Sequence, residues 1–269
     1  MEKSGLAVAG LRLWALDVGL NRASTGRRHA GVIAILLAIT FCSTCQSKSP
    51  NGQAGANQQA SESMSVTPIS GPVNYVALGD STGVGVGARN GGYVARLFQN
   101  IVLERPGSKL TNLCVSGATT EDVLQSQLRR GIAGNPNLVT VGIGINDIGH
   151  GIGVEEFARN YEEILSELRK GTSAKIVVTN IPDISSAPRI PEFARRQYQQ
   201  AIIIFNKRLE EIAARHEVIL FDVHSTTRDQ LPSHPEFFSS DGFHPSDAGY
   251  ELWSREMWPV IARTIGLGD

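Results

Sequence analysis

The sequence has little cysteine and almost no net charge. Three cysteines, Cys42, Cys45 and Cys114, occur among 269 residues. They are too few for a disulfide framework, and their positions match no zinc-ligand spacing. The formal net charge is −1, so the chain lacks the basic footprint that nucleic-acid binding requires. The composition therefore excludes a disulfide-rich scaffold and predicts no nucleic-acid partner.

The common signatures of cofactor and metal sites are also missing. No G-K-[ST] phosphate loop and no H-E-x-x-H zinc motif occurs in the chain. Gly83, Gly85 and Gly87 follow a strand-like segment, but they do not fit the G-x-G-x-x-G register of a dinucleotide loop. We therefore expect no cofactor and no metal ion.

The chain has no long hydrophobic run near its N-terminus, only a short one. Residues 30–41 carry no charge and follow a basic segment, but about 20 apolar residues are needed to cross a bilayer. This arrangement predicts a secretory signal. Cys42 lies directly after the run, as the lipid-modified cysteine does in bacterial lipoproteins, although Phe41 stands where a small residue is expected. We expect export to the periplasm or cell surface, with lipid attachment at Cys42, an uncleaved membrane anchor and simple secretion all open.

The segment after the signal has the composition of a linker. Residues 43–72 are rich in Ser, Gln, Asn, Gly and Ala, and such a stretch buries too little apolar surface to offset its ordering entropy. We therefore divide the chain into a signal or anchor segment (1–42), a flexible polar linker (43–72) and one folded domain (73–266).

Within the domain, short apolar runs alternate with amphipathic ones. The pattern predicts five strands, at 73–78, 110–115, 138–143, 175–179 and 218–221. It predicts helices at 93–103, 121–129, 154–171, 191–215 and 246–265. Strands that each precede a helix indicate an α/β fold, with a five-stranded parallel sheet between two helical layers.

Polar residues and one glycine follow the predicted strands, at the edge where sites form in parallel sheets. Ser81 follows the first strand, Gly117 the second and Asn146 the third. Asp222 follows the fifth strand, and Asp241 and His244 precede the last helix. One edge of the sheet is therefore expected to gather a hydroxyl, an amide, carboxylates and imidazoles.

All of these residues except Asp222 fall in four ordered blocks that resemble those of the SGNH (GDSL-like) hydrolases. The blocks are Gly79-Asp-Ser81, the segment ending at Gly117, Gly144-Ile-Asn146-Asp147 and Asp241-Gly-Phe-His244. The resemblance implies a three-layer α/β/α sandwich of flavodoxin-like type and an esterase. It implies Ser81 as nucleophile, His244 as base and Asp241 as the acid that orients the base. For the oxyanion hole it implies the backbone N–H groups of Ser81 and Gly117 and the side-chain amide of Asn146.

The chemistry of these residues agrees with those roles. A serine hydroxyl attacks a carbonyl only when an adjacent base takes its proton. Asp241 and His244 are three residues apart, so the carboxylate can reach Nδ1 of the ring and leave Nε2 for Ser81. Asp222 is the rival acid, because it also follows a strand. The segment 79–83 has the letters G-x-S-x-G of the ordinary α/β hydrolases, but its place on the first strand favours the SGNH arrangement.

We therefore expect an exported serine esterase that hydrolyses carboxylic esters, either lipid acyl or acetyl esters. Its substrate would be a small-molecule ester, a lipid or an acetylated glycan. Two alternatives stay open: an O-acyltransferase that passes the acyl group to a saccharide, and a catalytically silent surface binding module.

Overall fold

The computed structural model describes residues 69–268. The predicted signal or anchor segment, Cys42 and residues 43–68 of the predicted linker lie outside the described residues. Ile69, near the start of the described part, is buried and packs with Val73 and Tyr75. No helix within residues 69–268 is long and apolar enough to cross a membrane.

Five parallel strands form the central sheet, in the order β2-β1-β3-β4-β5. The strands are β1 (Asn74–Gly79), β2 (Lys109–Asn112), β3 (Leu138–Gly142), β4 (Lys175–Thr179) and β5 (Ile219–Phe221). β1, β3 and β4 are almost wholly buried, as expected for strands covered on both faces. The predicted five-stranded parallel sheet is confirmed.

Helices connect the strands and cover both faces of the sheet. The longer ones are α2 (Tyr93–Glu104), α6 (Val154–Gly171), α7 (Glu192–Arg215) and α9 (Asp247–Thr264). Short helices α1 (Ser81–Val84), α5 (Ile145–Gly149) and α8 (Val223–Arg228) follow β1, β3 and β5 directly. Between β2 and β3, α3 (Thr120–Asp122) runs through a π-turn at Val123–Gln127 into α4 (Leu128–Ala133).

The alternation of side chains along each strand separates the core into two layers. Tyr75 and Ala77 of β1 pack in one hydrophobic cluster with residues of α2 and α9. Val76 and Leu78, which point to the opposite face, pack in a second cluster with residues of α6 and α7. The fold is therefore the predicted three-layer α/β/α sandwich.

The second strand is shorter than the sequence predicts. The apolar pattern extends to residue 115, but β2 ends at Asn112. The Asn112 side chain donates to the carbonyl of Gly83 at 2.8 Å and accepts from the N–H of Cys114 at 3.1 Å. Beyond Asn112 the chain still bonds to β1, because the N–H groups of Leu113 and Val115 donate to the carbonyls of Ala77 and Gly79 at 2.9 and 3.0 Å. It then leads into the turn that contains Gly117.

Candidate active site

Ser81 lies at the carboxyl edge of the sheet, after a tight turn at the end of β1. Gly79 has φ +156°, and a Cβ there would lie 2.3 Å from the carbonyl oxygen of Gly142 on β3, so only glycine fits. Asp80 caps α1 by accepting hydrogen bonds from the N–H and the hydroxyl of Thr82, at 2.9 and 2.8 Å. Ser81 is therefore the first residue of α1, and it is 4% exposed.

Ser81, His244 and Asp241 lie in hydrogen-bonding contact. The Nε2 atom of His244 is 3.0 Å from the Ser81 hydroxyl, and its Nδ1 is 2.6 Å from Oδ2 of Asp241. With the ring protonated on Nδ1, that N–H donates to Asp241, and Nε2 accepts the Ser81 proton. The three groups have the connectivity of a Ser-His-Asp triad.

The loop that carries His244 is built around the Asp241 carboxylate. Its Oδ1 accepts from the backbone N–H groups of Phe243 and His244, at 2.8 and 2.9 Å, and from the Ser239 hydroxyl at 2.8 Å. Partial burial raises the pKa of Asp241, but the bonds from the His244 ring and from these donors outweigh it and hold the pKa well below its ordinary value. Asp241 is therefore ionised when it faces the ring.

The rival acid, Asp222, has different partners. It is the N-cap of α8, and its carboxylate accepts from the N–H and hydroxyl of Ser225, at 3.0 and 2.6 Å. The Asn180 amide donates to the same carboxylate at 2.6 Å. Asp222 thus joins the end of β4 to the start of α8, and the structure places Asp241, rather than Asp222, against His244.

Two backbone N–H groups at this edge of the sheet have no acceptor in the described part of the chain. Within residues 69–268, the N–H groups of Ser81 and Gly117 donate to no protein atom. Gly117 has φ +80°, a left-handed conformation that favours glycine. The turn that contains Gly117 lies next to the turn that contains Ser81, since the N–H of Val115 donates to the carbonyl of Gly79 at 3.0 Å. The edge therefore offers two N–H donors to a ligand.

The third predicted donor, Asn146, is held against the same turn. Its Nδ2 donates one hydrogen to the carbonyl of Ala118, next to Gly117, at 2.9 Å. An amide nitrogen carries two hydrogens, so one stays available to a ligand. The structure thus gathers the predicted residues Ser81, Gly117, Asn146, Asp241 and His244 at one edge of the sheet.

The neighbouring carboxylate, Asp147, ties the Gly117 and Asn146 loops together. It is fully buried and accepts from the Thr120 hydroxyl at 2.5 Å and from the Thr120 N–H at 3.1 Å. Burial raises the pKa of Asp147 to about 6, in spite of the bonds from Thr120. A second buried carboxylate, Asp80, also has a pKa raised by burial.

The raised pKa makes the contribution of Asp147 to stability depend on pH. Between about pH 4 and 6 the folded protein holds a proton that the unfolded chain has lost, so the free energy of unfolding falls as the pH rises. Asp147→Asn removes this titration. We expect its stability relative to the wild type to increase by up to about 3 kcal/mol between pH 4 and 7. Urea unfolding of both proteins at each pH tests this, and a constant difference would contradict it.

Sequence reasoning missed Gln127, whose side chain stabilises the turn that leads from β1 to Ser81. Its side chain is fully buried in the π-turn, accepts from the N–H of Gly79 at 2.8 Å and donates to the carbonyl of Gly79 at 2.8 Å. The Gln127 amide thus bonds to Gly79 of β1, two residues before Ser81. Gly79 lies beyond Ala77, the last residue of β1 that pairs with β2. In the sequence, Gln127 lies four residues after Val123 and therefore on the same side of a helix. A single glutamine at such a position is a weak signal.

Comparisons with known proteins agree with the fold. A crystal structure of an acetylxylan esterase from Geobacillus stearothermophilus superposes with a TM-score of 0.58 at 21% identity, over 73% of this chain and 95% of that one. An α/β hydrolase from the metagenome of Lake Arreo, Spain, gives 0.58 at 21%, over 73% and 97%. A lipase/acylhydrolase from Enterococcus faecalis gives 0.57 at 25%, over 70% and 95%.

The family comparison covers most of the folded domain. No curated protein matches this chain by sequence. The model of the GDSL-like lipase/acylhydrolase family matches residues 77–252, a range that contains Ser81, Gly117, Asn146, Asp241 and His244. The chain therefore belongs to the GDSL-like lipase/acylhydrolase family, also called SGNH hydrolases, and it is an ester-hydrolysing enzyme.

Proposed function

We propose that this protein is an exported serine esterase that cleaves carboxylic esters through an acyl intermediate on Ser81. The single observation that carries the proposal is the continuous contact from Asp241 through His244 to the Ser81 hydroxyl, at 2.6 and 3.0 Å. Two N–H groups without an acceptor in the described part of the chain lie next to this contact. One belongs to Ser81, in a turn that only a glycine at position 79 allows, and the other to Gly117 in the neighbouring turn.

The first half of the reaction forms the acyl enzyme. His244 takes the Ser81 proton on Nε2 while Oγ attacks the carbonyl carbon, and Asp241 stabilises the imidazolium through Nδ1–H. The carbonyl oxygen becomes an oxyanion that accepts from the N–H groups of Ser81 and Gly117 and from the Asn146 amide. The tetrahedral intermediate collapses as His244 gives the proton to the leaving alcohol oxygen.

The second half regenerates the enzyme with water. His244 removes a proton from a water molecule, whose oxygen attacks the acyl carbon, and the same donors hold the second oxyanion. Collapse releases the carboxylic acid and returns the proton to Ser81. The atoms and protons of the four steps are supplied by these side chains, the ester and water, and the backbone N–H groups of Ser81 and Gly117 act as hydrogen-bond donors.

A direct experiment combines turnover with covalent labelling of the full chain. We expect hydrolysis of p-nitrophenyl acetate or longer p-nitrophenyl esters, and complete inactivation by a fluorophosphonate that modifies Ser81, located by peptide mass spectrometry. Turnover that persists after full modification of Ser81 would contradict the proposal.

The oxyanion role of Asn146 has a test of its own. Asn146→Ala removes one donor, and we expect kcat to fall by about 10²–10³ with little change in KM. Asn74→Ala is the matched control, because the Asn74 amide also donates to backbone carbonyls, those of Gly134 and Asn135, but at the opposite end of β1. A kcat for Asn146→Ala equal to that of the control would remove Asn146 from the mechanism.

Export and substrate class belong to the same proposal. The basic segment, the apolar residues 30–41 and Cys42 support export and N-terminal attachment, and mass spectrometry of the native N-terminus distinguishes a lipidated Cys42 from a cleaved or retained signal. For the substrate we propose a small-molecule ester, a lipid ester or an acetylated glycan. The structural neighbours include both an acetylxylan esterase and a lipase/acylhydrolase.

A further inference from the structure

A buried glutamine continues the hydrogen bonding of the sheet at the end of β1. β1 pairs with β2 only as far as Ala77, so Gly79 lies beyond the end of that pairing. There the side-chain oxygen of Gln127 accepts from the N–H of Gly79, and its nitrogen donates to the carbonyl of Gly79, both at 2.8 Å. A side-chain amide carries the same kinds of acceptor and donor as a peptide group. Gln127 therefore bonds to Gly79 as a neighbouring strand would.

The Gly79 carbonyl connects the two turns that carry the proposed oxyanion donors. It accepts from Gln127 and, at 3.0 Å, from the N–H of Val115. Val115 begins the turn around Gly117, which is closed by a hydrogen bond of 3.1 Å to the Val115 carbonyl. Ser81, whose N–H is the other donor, follows Gly79 by two residues. The direction of this one carbonyl therefore affects the positions of both N–H donors.

Two features of the helix place the Gln127 amide at this point. The chain widens into the π-turn, in which the N–H of Leu128 donates to the carbonyl of Val123, five residues earlier. Gln127 and Leu128 are both buried although they are consecutive. Four residues after Gln127, Gly131 lets α4 lie close to β1, because a Cβ there would be 3.1 Å from the Leu78 side chain. π-Turns within helices are frequent at functional sites, and this one presents an amide to the strand that ends at the nucleophile.

Gln127 can affect the reaction only through the residues that it holds. It is fully buried, and it does not line the pocket beside Ser81 and His244. Resting on the proposed acyl-Ser81 mechanism, we propose that Gln127 is a positioning residue, which fixes the Gly79 peptide and thereby holds the Ser81 and Gly117 N–H donors where the oxyanion forms. Its effect falls on kcat, because donors that act in the transition state change the rate and not the binding of the substrate.

Gln127→Met keeps the length of the side chain and removes both hydrogen bonds to Gly79. A misplacement of about 1 Å in an active site can cost about 10² in rate. We therefore expect kcat for p-nitrophenyl acetate to fall by about 10- to 100-fold and KM to stay within about twofold. The rate at which a fluorophosphonate modifies Ser81 should fall by a similar factor, because the same donors stabilise the charge on the phosphonyl oxygen. An unchanged kcat and an unchanged modification rate in the folded variant would overturn the inference.

Two control variants separate positioning from a loss of stability. Gln125→Met makes the same substitution in the same π-turn, where Gln125 is exposed and donates to Glu121 at 2.8 Å; it should leave kcat unchanged. Thr140→Val removes a buried hydrogen bond of 2.8 Å to the Tyr75 hydroxyl in the middle of the sheet; it should lower the urea midpoint and keep kcat. A loss of kcat in Thr140→Val equal to that in Gln127→Met would show that lost stability explains both, and would overturn the inference.

Gln127→Glu provides a test that does not depend on the stability of Gln127→Met. A protonated glutamic acid has an acceptor and a donor and can replace the amide, whereas the ionised form has no donor. Burial, together with the buried carboxylates of Asp80 and Asp147 at the same edge, favours the protonated form near neutral pH, against the attraction of a protonated His244. We expect kcat relative to the wild type, a ratio that cancels the titration of His244, to be close to one at pH 6 and at least about tenfold lower at pH 9. A ratio that stays constant between these pH values would overturn the inference.

The outcomes separate this inference from the function on which it rests. If the wild type hydrolyses esters and is labelled on Ser81, and Gln127→Met keeps its kcat, the esterase mechanism stands and the positioning role is wrong. If Ser81 of the wild type is not labelled and no ester is hydrolysed, both proposals fail.

Discussion

Ser81→Ala is expected to lower kcat for ester hydrolysis by about 10⁵-fold or more while leaving the fold intact. Among the described side chains the Ser81 hydroxyl hydrogen-bonds with His244 alone, so its loss removes the nucleophile and breaks no other side-chain hydrogen bond. Ala also keeps the backbone N–H that we assign to the oxyanion hole. The measurements are kcat with a p-nitrophenyl ester and the urea midpoint of the variant.

His244→Ala provides the companion to this experiment. Because nucleophile and base act as one unit, the double variant should be about as slow as either single variant. If the losses in kcat of the two single variants multiply in the double variant, the assigned roles are contradicted. A Ser81→Ala protein that keeps more than about a hundredth of the activity would also contradict them.

Asp241→Asn is expected to lower kcat by about 10⁴-fold with little change in KM. The wild-type carboxylate accepts from the ring on one oxygen and from three further donors on the other. An amide has only one acceptor oxygen. If that oxygen faces the three donors, the NH₂ group faces Nδ1 and favours the ring tautomer that has no proton there. Nε2 is then protonated and cannot accept the Ser81 proton.

Asp222→Asn is the matched control for this substitution. Asp222 also accepts several hydrogen bonds at the carboxyl edge of the sheet, but from Ser225 and Asn180. We expect the variant to lose stability and to keep kcat. A loss of kcat in Asp222→Asn that matches or exceeds the loss in Asp241→Asn would show that the triad acid is misassigned.

The architecture could be predicted from the sequence because its signals are local. In β1 the alternation that places Tyr75 and Ala77 on one face and Val76 and Leu78 on the other is visible in the order of residues. The apolar stripe of α6 predicted its start at Val154, and Gly171 predicted its end. The strand-helix rhythm then limited the topology to a parallel sheet.

The short helices at the strand ends could not be predicted in this way. α1, α5 and α8 contain four to six residues each, which is too short for a helical period to show. The cap of α8 by Asp222 is an example. In the sequence Asp222 is only an acid that follows a strand, and its role depends on Asn180, which is 42 residues away.

The site itself was predictable only in part, for a related reason. Ser81 and His244 are 163 residues apart, and no local rule joins them; the four ordered blocks did. Gln127 belongs to no block, and its π-turn has the same apolar pattern as an α-helix, so its bonds to Gly79 were not foreseen. The pocket beside Ser81 and His244 has walls from separate loops, and its size depends on how they pack.

The central claim is that an acyl group resides on Ser81 during turnover, and mass spectrometry of an acid-quenched reaction tests it most directly. The full chain is mixed with excess p-nitrophenyl hexanoate, quenched within milliseconds and digested. The account predicts that the peptide containing Ser81 gains the mass of one hexanoyl group, and that Ser81→Ala shows no adduct. Rapid hydrolysis with the acyl group on another residue, or with no adduct at any quench time, would contradict it.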